Sequence, residues 1–189
     1  DPALDWFADH VAIADVLLTG GDPLVLDDGV LEHVLRRLAA MEHVRNIRIG
    51  SRVPVTMPMR ITEELAKRLG AYVVPGRRNV ALVTHVESAY EVTPALATAV
   101  DRLRRCGVSV YNQQVFTVET SRRFQTVANR VALRQVGIDP YYTFYPKGKE
   151  EHRDYLVPIA RLLQERKEEA RLLPGVFRTD EAVFNVPGL

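Results

Sequence analysis

Two glycines and an acid follow a short apolar run near the start of the chain. Residues 16–19 (VLLT) are typical of a buried strand, and Gly20 and Gly21 allow the backbone to turn sharply because they carry no Cβ. Asp22 then lies at the carboxyl end of the strand, where parallel α/β folds place their functional groups. A carboxylate beside free backbone groups suits a ligand that carries an ammonium group. Asp22 could also simply cap the turn into the next helix.

The later predicted strands also end in polar side chains. Because the carboxyl ends of parallel strands gather functional groups at one face, the sequence predicts that these side chains form one constellation. In chain order they are Ser51 and Arg52, Thr84 and His85, Asn112 and Gln113, Lys147, and Asn185.

Several of these residues have a structural as well as a functional interpretation. Arg52 could bind an anion or a cofactor through its rigid guanidinium fork, or could pair with an acid on the next helix. His85 could contact a ligand at the rim or could be a hydrogen-bonded core histidine. The amides of residues 112–114 need partners if they are buried. A ligand such as an adenosine would supply those partners, and so would water inside a polar barrel.

The segments around these strand ends alternate between strand-like and helix-like patterns. Strands are predicted at residues 16–19, 46–51, 80–84, 108–116, 140–145 and 182–186. Thr62 and Thr93-Pro94 are typical helix starts, and Gly107 and Gly137 are typical helix ends. Phe124, Val127, Val131 and Leu133 mark another helix, which Gly137 closes.

A strand–helix repeat with short connections indicates a parallel sheet with right-handed crossovers. About six units fit part of a (β/α) barrel, whereas a full eightfold barrel typically needs about 250 residues. The predicted fold class is therefore α/β, a partial (β/α) barrel with parallel strands.

The length, charge and cysteine content of the chain limit the classes of function that it can have. The chain has 189 residues and a net charge of +1, which gives no general attraction to nucleic acid or membranes. No apolar run approaches the roughly 20 residues of a membrane helix. Cys106 is the only cysteine, so no disulfide forms within the chain and a cytoplasmic location is expected. One thiolate cannot hold an iron–sulfur cluster. The start at Asp1-Pro2, without methionine, suggests a fragment or a processed product.

Residues 15–24 (DVLLTGGDPL) resemble the second strand of the lysine 2,3-aminomutase family of radical S-adenosylmethionine (SAM) enzymes. Further matches follow in the same order, from about residue 15 to residue 188. The resemblance implies that residues 1–189 are the central and C-terminal part of a radical SAM (β/α) barrel. The matching segments are 48–54 (RIGSRVP), 58–62 (PMRIT), 84–85 (TH), Gly107 through 112–113 (NQ), and 140–142 (PYY).

The resemblance also implies roles for the strand ends, which in that family surround SAM and pyridoxal phosphate (PLP). There the Gly-Gly-Asp turn holds the amino group of SAM's methionine part. His85 and Gln113 match positions that lie along SAM, and Phe144 takes the place of an aromatic residue near the PLP ring. The implied cofactor-binding residues are Gly20, Gly21, Asp22, Ser51, Arg52, His85, Gln113 and Phe144.

Some parts of the family pattern are missing from this chain. The three cysteines that hold the [4Fe–4S] cluster, spaced C-x3-C-x2-C, are absent, as is the arginine that binds the substrate's α-carboxylate. The PLP lysine would follow the segment that begins at Pro187-Gly188. The resemblance therefore implies that the cluster ligands and the PLP lysine lie outside this chain, which holds no catalytic residue or metal ligand. Residues 117–121 (TVETS) also lack the family's Gly-Val-Asn-Asp run.

Two positions bear on the substrate. In the lysine enzymes, two aspartates bind the ammonium at the far end of the substrate side chain, and the aligned residues here are Lys147 and Asn185. A lysine repels an ammonium and attracts a carboxylate, to which an asparagine can donate a hydrogen bond. The glutamate 2,3-aminomutase branch resembles this chain in the same exchange. Alternatively, Lys147 is a solvated loop lysine.

The resemblance therefore implies an isomerase, a radical SAM and PLP-dependent 2,3-aminomutase that moves the α-amino group of a glutamate-like substrate to its β-carbon. One alternative is a related enzyme acting on lysine, another amino acid or a protein-attached lysine. Another is a cofactor-free binding protein. The expected partner is a small amino acid rather than nucleic acid or membrane, and the chain is compatible with a homo-oligomer.

Overall fold

A computed structural model of the chain describes residues 1–146 and 150–184. The chain divides into two compact units. Unit 1 comprises Asp1–Thr84 and Pro94–Val110, and unit 2 comprises His85–Thr93 and Tyr111–Leu189.

Unit 1 contains three parallel strands and the helices that cover them. The strands pair in chain order, so that Val16 lies beside Ile47 and Ile47 beside Val80. The elements are α1 (Pro2–Asp9), β1 (Asp15–Leu18), α2 (Asp28–Ala39), β2 (Asn46–Gly50), α3 (Val53–Thr56), α4 (Glu63–Gly70), β3 (Asn79–Thr84) and α5 (Pro94–Arg105).

The core of unit 1 follows from its sequence pattern. β3 is buried from Val80 to Thr84, as expected for a parallel strand that is covered on both faces. The helices turn leucines inward, among them Leu35 of α2 and Leu65 of α4. Thr62 caps α4 as predicted, because its side chain accepts a hydrogen bond from the Leu65 amide at 3.1 Å.

Unit 2 also builds on parallel strands in chain order. Gln113 lies beside Tyr142, and Tyr142 beside Glu181. The register between the first two strands shifts after Asn112. The elements are β4 (Ser109–Val115), whose first two residues belong to unit 1, α6 (Gln125–Gln135), β5 (Asp139–Tyr145), α7 (Ile159–Leu172) and β6 (Glu181–Phe184).

The predicted strands agree with the observed ones to within one residue at their ends, apart from the predicted end of the last strand at residues 185–186, which lies outside the described residues. Short 3-10 turns connect some elements, at Pro23–Val25, Pro58–Arg60, Ala89–Glu91, Glu150–Tyr155 and Gly175–Phe177. Within the described ranges, no helix combines the length and the apolar character that crossing a membrane requires.

The predicted helix is present as α6, but Leu133 is the only one of its four marking residues that is buried. Phe124 precedes the helix and is exposed, and Val127 and Val131 are only half-buried. Besides Leu133, the buried residues of α6 are polar: Thr126, Asn129 and Arg130. These residues are buried because other segments of unit 2 provide a hydrogen-bond or ionic partner for each of them.

Arg130 lies at the centre of a buried ionic cluster. Its Nη1 and Nη2 atoms donate to both carboxylate oxygens of Asp180, at 2.6 and 2.8 Å. Its Nε atom lies 2.9 Å from a carboxylate oxygen of Glu169 in α7. Thr143 of β5 donates its hydroxyl to Asp180 at 2.6 Å, and Arg166 adds a second guanidinium at 2.9 Å. The cluster therefore connects α6, α7 and β5 with the residue that immediately precedes β6.

The Asp180 carboxyl makes the stability of the protein depend on pH. Burial alone would raise the pKa of Asp180, but the charge and hydrogen bonds of Arg130, with Arg166 and Thr143, lower that pKa from 3.8 to about 2. A carboxyl with a lowered pKa stabilises the fold above its unfolded pKa and loses this contribution as pH falls through its folded pKa. We expect about 2 kcal/mol of unfolding free energy to disappear between about pH 4 and pH 2.

Urea unfolding at pH 5 and at pH 2.5 checks this expectation, with Asp180→Asn as the control. The variant lacks the titrating carboxyl, so its unfolding free energy should fall less over the same interval. Equal losses in the two proteins would contradict the assignment to Asp180.

Candidate cofactor-binding site

The Gly-Gly-Asp turn of unit 1 exposes its backbone at the carboxyl end of β1. Gly20 has φ +127°, a conformation that side-chain-bearing residues rarely adopt. No atom lies within 4 Å of the place where a Cβ would stand on Gly20 or on Gly21. A ligand can therefore approach the backbone of both glycines directly.

Asp22 holds this turn in place. One oxygen, Oδ1, accepts a hydrogen bond from the Leu24 amide at 3.0 Å and so caps the Pro23–Val25 turn. The other, Oδ2, accepts a hydrogen bond from the Arg52 amide at 2.8 Å. The capping interpretation of Asp22 is therefore confirmed, and the same carboxylate joins the ends of β1 and β2. A carboxylate has about four acceptor positions, so two remain for a ligand ammonium.

Ser51 and Arg52 directly follow β2, and the Arg52 amide is the group that hydrogen-bonds to Asp22. The Ser51 side chain is buried, and its oxygen accepts a hydrogen bond from the Val53 amide at 3.1 Å. Arg52 extends an exposed side chain. At the end of β3, the Thr84 hydroxyl is fully buried and has no hydrogen-bond partner in the part of the chain that the structure describes.

These features fit the methionine part of SAM, which carries an ammonium and a carboxylate. The open glycine backbone and the remaining acceptor positions of Asp22 suit the ammonium. The exposed guanidinium of Arg52 suits the carboxylate. Unit 1 thus brings together five of the predicted residues: Gly20, Gly21, Asp22, Ser51 and Arg52.

In unit 2, the segment after His85 is fixed by side-chain amides. Asn112 accepts a hydrogen bond from the Val86 amide at 2.7 Å and donates one to the Val86 carbonyl at 3.0 Å. Asn129 of α6 donates to the same carbonyl at 3.2 Å. His85, which is half-buried, is therefore positioned by its neighbour Val86.

The amides at 112 and 114 thus have hydrogen-bond partners within the protein. Gln114 donates to the Glu87 carbonyl at 3.0 Å, and the Glu87 carboxylate accepts from the Val115 amide at 2.9 Å. The sequence predicted an adenosine or water as the partner of these amides, but the backbone of Val86 and Glu87 provides it instead. Of the three consecutive amides, Gln113 alone points to the opposite face of β4.

Gln113 shares its face with aromatic side chains. It lies beside Tyr142, and its neighbour Val115 lies beside Phe144. Ring centroids are 5.6 Å apart for Tyr111 and Tyr141, 3.9 Å for Tyr141 and Tyr142, and 5.5 Å for Tyr142 and Phe144. The sequence-based prediction gave these three tyrosines no role, although alternation along β4 and β5 would have placed Tyr111 and Tyr142 on this face.

The two predicted substrate-binding residues, Lys147 and Asn185, lie outside the described residues. Cys106 follows the last turn of α5 and is half-buried. Among the described residues, no three His, Cys, Asp or Glu side chains are grouped so that they could hold a metal ion. The described residues therefore do not fit an iron–sulfur cluster.

Comparison with solved structures defines the class of fold. The crystal structure of SuiB from Streptococcus suis bound to S-adenosylmethionine matches 98% of this chain and 44% of that one, with a TM-score of 0.65 and 12% sequence identity. The likeness concerns the fold alone. It confirms the predicted α/β fold class, a partial (β/α) barrel of the radical SAM type.

Sequence comparison finds relatives that are much longer than the chain. An uncharacterized KamA family protein of Methanocaldococcus jannaschii is 58% identical over 187 residues, which is 99% of this chain and 30% of that protein. The L-lysine 2,3-aminomutase of Escherichia coli is 36% identical over 141 residues, 74% of this chain and 40% of that enzyme. The glutamate 2,3-aminomutase of Clostridioides difficile is 34% identical over 147 residues, 77% of this chain and 33% of that enzyme.

The chain is therefore a homologue of KamA family and lysine 2,3-aminomutase proteins, which include a glutamate 2,3-aminomutase. It spans between 30% and 40% of the length of these three relatives. No protein-family model matches it.

Proposed function

We propose that this chain is the SAM-binding part of a longer 2,3-aminomutase, which also uses PLP and acts on a glutamate-like amino acid. The observation that carries the proposal is the open Gly20–Gly21 backbone, held by Asp22 against the end of β2. It occurs in a chain whose relatives include enzymes named as lysine and glutamate 2,3-aminomutases. The cluster cysteines and the PLP lysine belong to the rest of that protein.

In such an enzyme, SAM with its cluster would supply radical chemistry and PLP would supply the carrier for the amino group, and the cluster and PLP would be held by residues in the rest of the protein. This chain contributes binding and orientation. The backbone of Gly20 and Gly21 and the Asp22 carboxylate hold the ammonium of SAM, and Arg52 pairs with its carboxylate. Because Asp22 accepts hydrogen bonds from two backbone amides, this site needs little reorganisation when SAM binds.

Unit 2 carries the other proposed cofactor residues, which are His85 and Gln113 for SAM and Phe144 for the PLP ring. The Tyr142 ring adjoins those of Tyr141 and Phe144, so these residues form one aromatic surface.

Lys147 and Asn185 select the substrate side chain. A lysine ammonium attracts the distal carboxylate of glutamate and repels the distal ammonium of lysine. The asparagine amide adds a hydrogen bond to that carboxylate without adding charge. This pair therefore favours an acidic over a basic substrate.

Exchanging both residues tests the substrate assignment. In the double variant Lys147→Asp/Asn185→Asp, we expect kcat/KM for glutamate to fall at least about 100-fold, because two carboxylates now face the distal carboxylate. Turnover of lysine should rise. The measurement is β-amino acid formation from each substrate by the complete, anaerobically reconstituted protein.

Lys149→Asp is the control for the Lys147→Asp part of this variant, since it introduces the same lysine-to-aspartate change two residues away. It should leave glutamate turnover within a few fold of the original. Unchanged glutamate kinetics in the double variant would overturn the roles of Lys147 and Asn185.

A further inference from the structure

A pocket of unit 1 lies at the end of its strands that is opposite to the Gly-Gly-Asp turn. It has a volume of about 380 Å³ and is lined by Arg45, which precedes β2, and by residues 73–79, which lead into β3. The Gly-Gly-Asp turn follows the carboxyl end of β1, whereas this pocket adjoins the amino ends of β2 and β3. A strand of five residues spans roughly 17 Å, so the two sites are separate.

The loop that forms one wall of the pocket has a defined conformation. The Arg77 amide donates to the Val74 carbonyl at 2.9 Å, which closes a tight turn around Pro75 and Gly76. Gly76 has φ +75°, as the third residue of a type II turn requires, and proline is common at the second position. Val74 and Arg78 form an antiparallel bridge across the turn. Arg77 and Arg78 are therefore held at the pocket before any ligand binds.

Arg78 is a buried cation that is held by carbonyl groups rather than carboxylates. Its Nε donates to the Tyr72 carbonyl at 2.9 Å and its Nη1 to the Ala39 carbonyl at 2.8 Å. Burial, and then the charge of Arg77, lower the pKa of Arg78. By contrast, the buried guanidinium of Arg130 in unit 2 forms ion pairs with two carboxylates. The positive charge of Arg78 is not balanced by a neighbouring acid within the described residues.

The rest of the lining does not balance this charge either. No Asp or Glu lines the pocket, and neither Arg45 nor Arg77 has an ion pair among the described residues. The Asn79 amide donates to the Arg45 carbonyl at 2.8 Å, so the backbone of Arg45 is fixed to the same wall. Three arginines thus line one cavity, and an anion bound there would offset the charge of the exposed Arg45 and Arg77.

We propose that this pocket binds a small molecule that carries a phosphate group. A guanidinium matches the oxygen geometry of phosphate through two parallel hydrogen bonds. Val73, Val74 and Pro75 provide an apolar wall for the uncharged part of such a ligand. The cavity has the volume of a typical small-ligand site. Free phosphate and the phosphate of a nucleotide share this chemistry, and the proposal does not depend on the aminomutase activity.

The test is calorimetric titration of the complete protein with inorganic phosphate, pyrophosphate and AMP, in separate experiments. Arg45 and Arg77 are both exposed, so the double variant Arg45→Gln/Arg77→Gln is expected to fold normally. It should weaken binding at least about tenfold, because charge-assisted hydrogen bonds to phosphate are lost. Arg104→Gln, an exposed arginine on α5 of the same unit, is the matched control and should leave affinity unchanged.

Tighter binding of AMP than of phosphate or pyrophosphate would support the proposal and identify a nucleotide as the ligand class. Equal binding of AMP and phosphate would also support it, with the free ion as the minimal ligand. Absence of binding by all three probes, or an equal loss of affinity in Arg104→Gln, would overturn it.

Discussion

The variant Arg130→Met is expected to lose about 3–5 kcal/mol of unfolding free energy, because the buried carboxylates of Asp180 and Glu169 would keep only the partly exposed Arg166 as a cationic partner. Urea unfolding at pH 7 measures this loss. Arg134→Met is the matched control on the same helix, since its ion pair with Asp139 is partly exposed and contributes about 1 kcal/mol at most.

A second variant separates charge from packing. In Arg130→Met/Asp180→Asn, the buried Asp180 carboxylate is replaced by a neutral amide, so part of the lost unfolding free energy should return. A loss below about 1 kcal/mol in Arg130→Met, or no recovery in the double variant, would contradict the role given to the ionic cluster.

Asp22→Ala is expected to weaken SAM binding by about 10- to 100-fold. The substitution removes the acceptor for the ligand ammonium. It also removes the hydrogen bonds that Asp22 accepts from the Leu24 amide and from the Arg52 amide, the second of which holds the turn against the end of β2. Calorimetric titration of SAM into the complete, reconstituted protein measures the change.

Asp27→Ala provides the control for this variant. Asp27 caps α2 by accepting a hydrogen bond from the Gly29 amide at 2.8 Å, and it lies in the same unit. Its removal should cost about 1 kcal/mol of stability and leave SAM affinity unchanged. Equal SAM affinities for Asp22→Ala and the original protein would show that the turn is only structural.

Much of the fold could be predicted because its signals are local. Apolar runs such as residues 80–84 define buried strands, and Thr62 marks the start of α4. The Gly-Gly-Asp turn could be located because only glycine adopts the backbone conformation that Gly20 requires. In each case, the residues that form the structure are also neighbours in the sequence.

The sequence-based predictions failed where a buried polar residue has its hydrogen-bond or ionic partner far away in the sequence. Asn112 binds the backbone of Val86, 26 residues earlier, and Arg130 binds Asp180, 50 residues later. A helix pattern that counts apolar residues treats such side chains as exposed, because their partners cannot be identified from one sequence. The same limit led to the prediction of an adenosine or water where the backbone of residues 86–87 supplies the partner.

The most direct test uses the complete protein, reconstituted anaerobically with iron, sulfide and PLP. Reductant and SAM are added, labelled glutamate and lysine are offered together, and NMR identifies the β-amino acids formed. We predict β-glutamate as the main product. β-Lysine would retain the reaction class but contradict the roles of Lys147 and Asn185, and absence of SAM cleavage would contradict the proposed function itself.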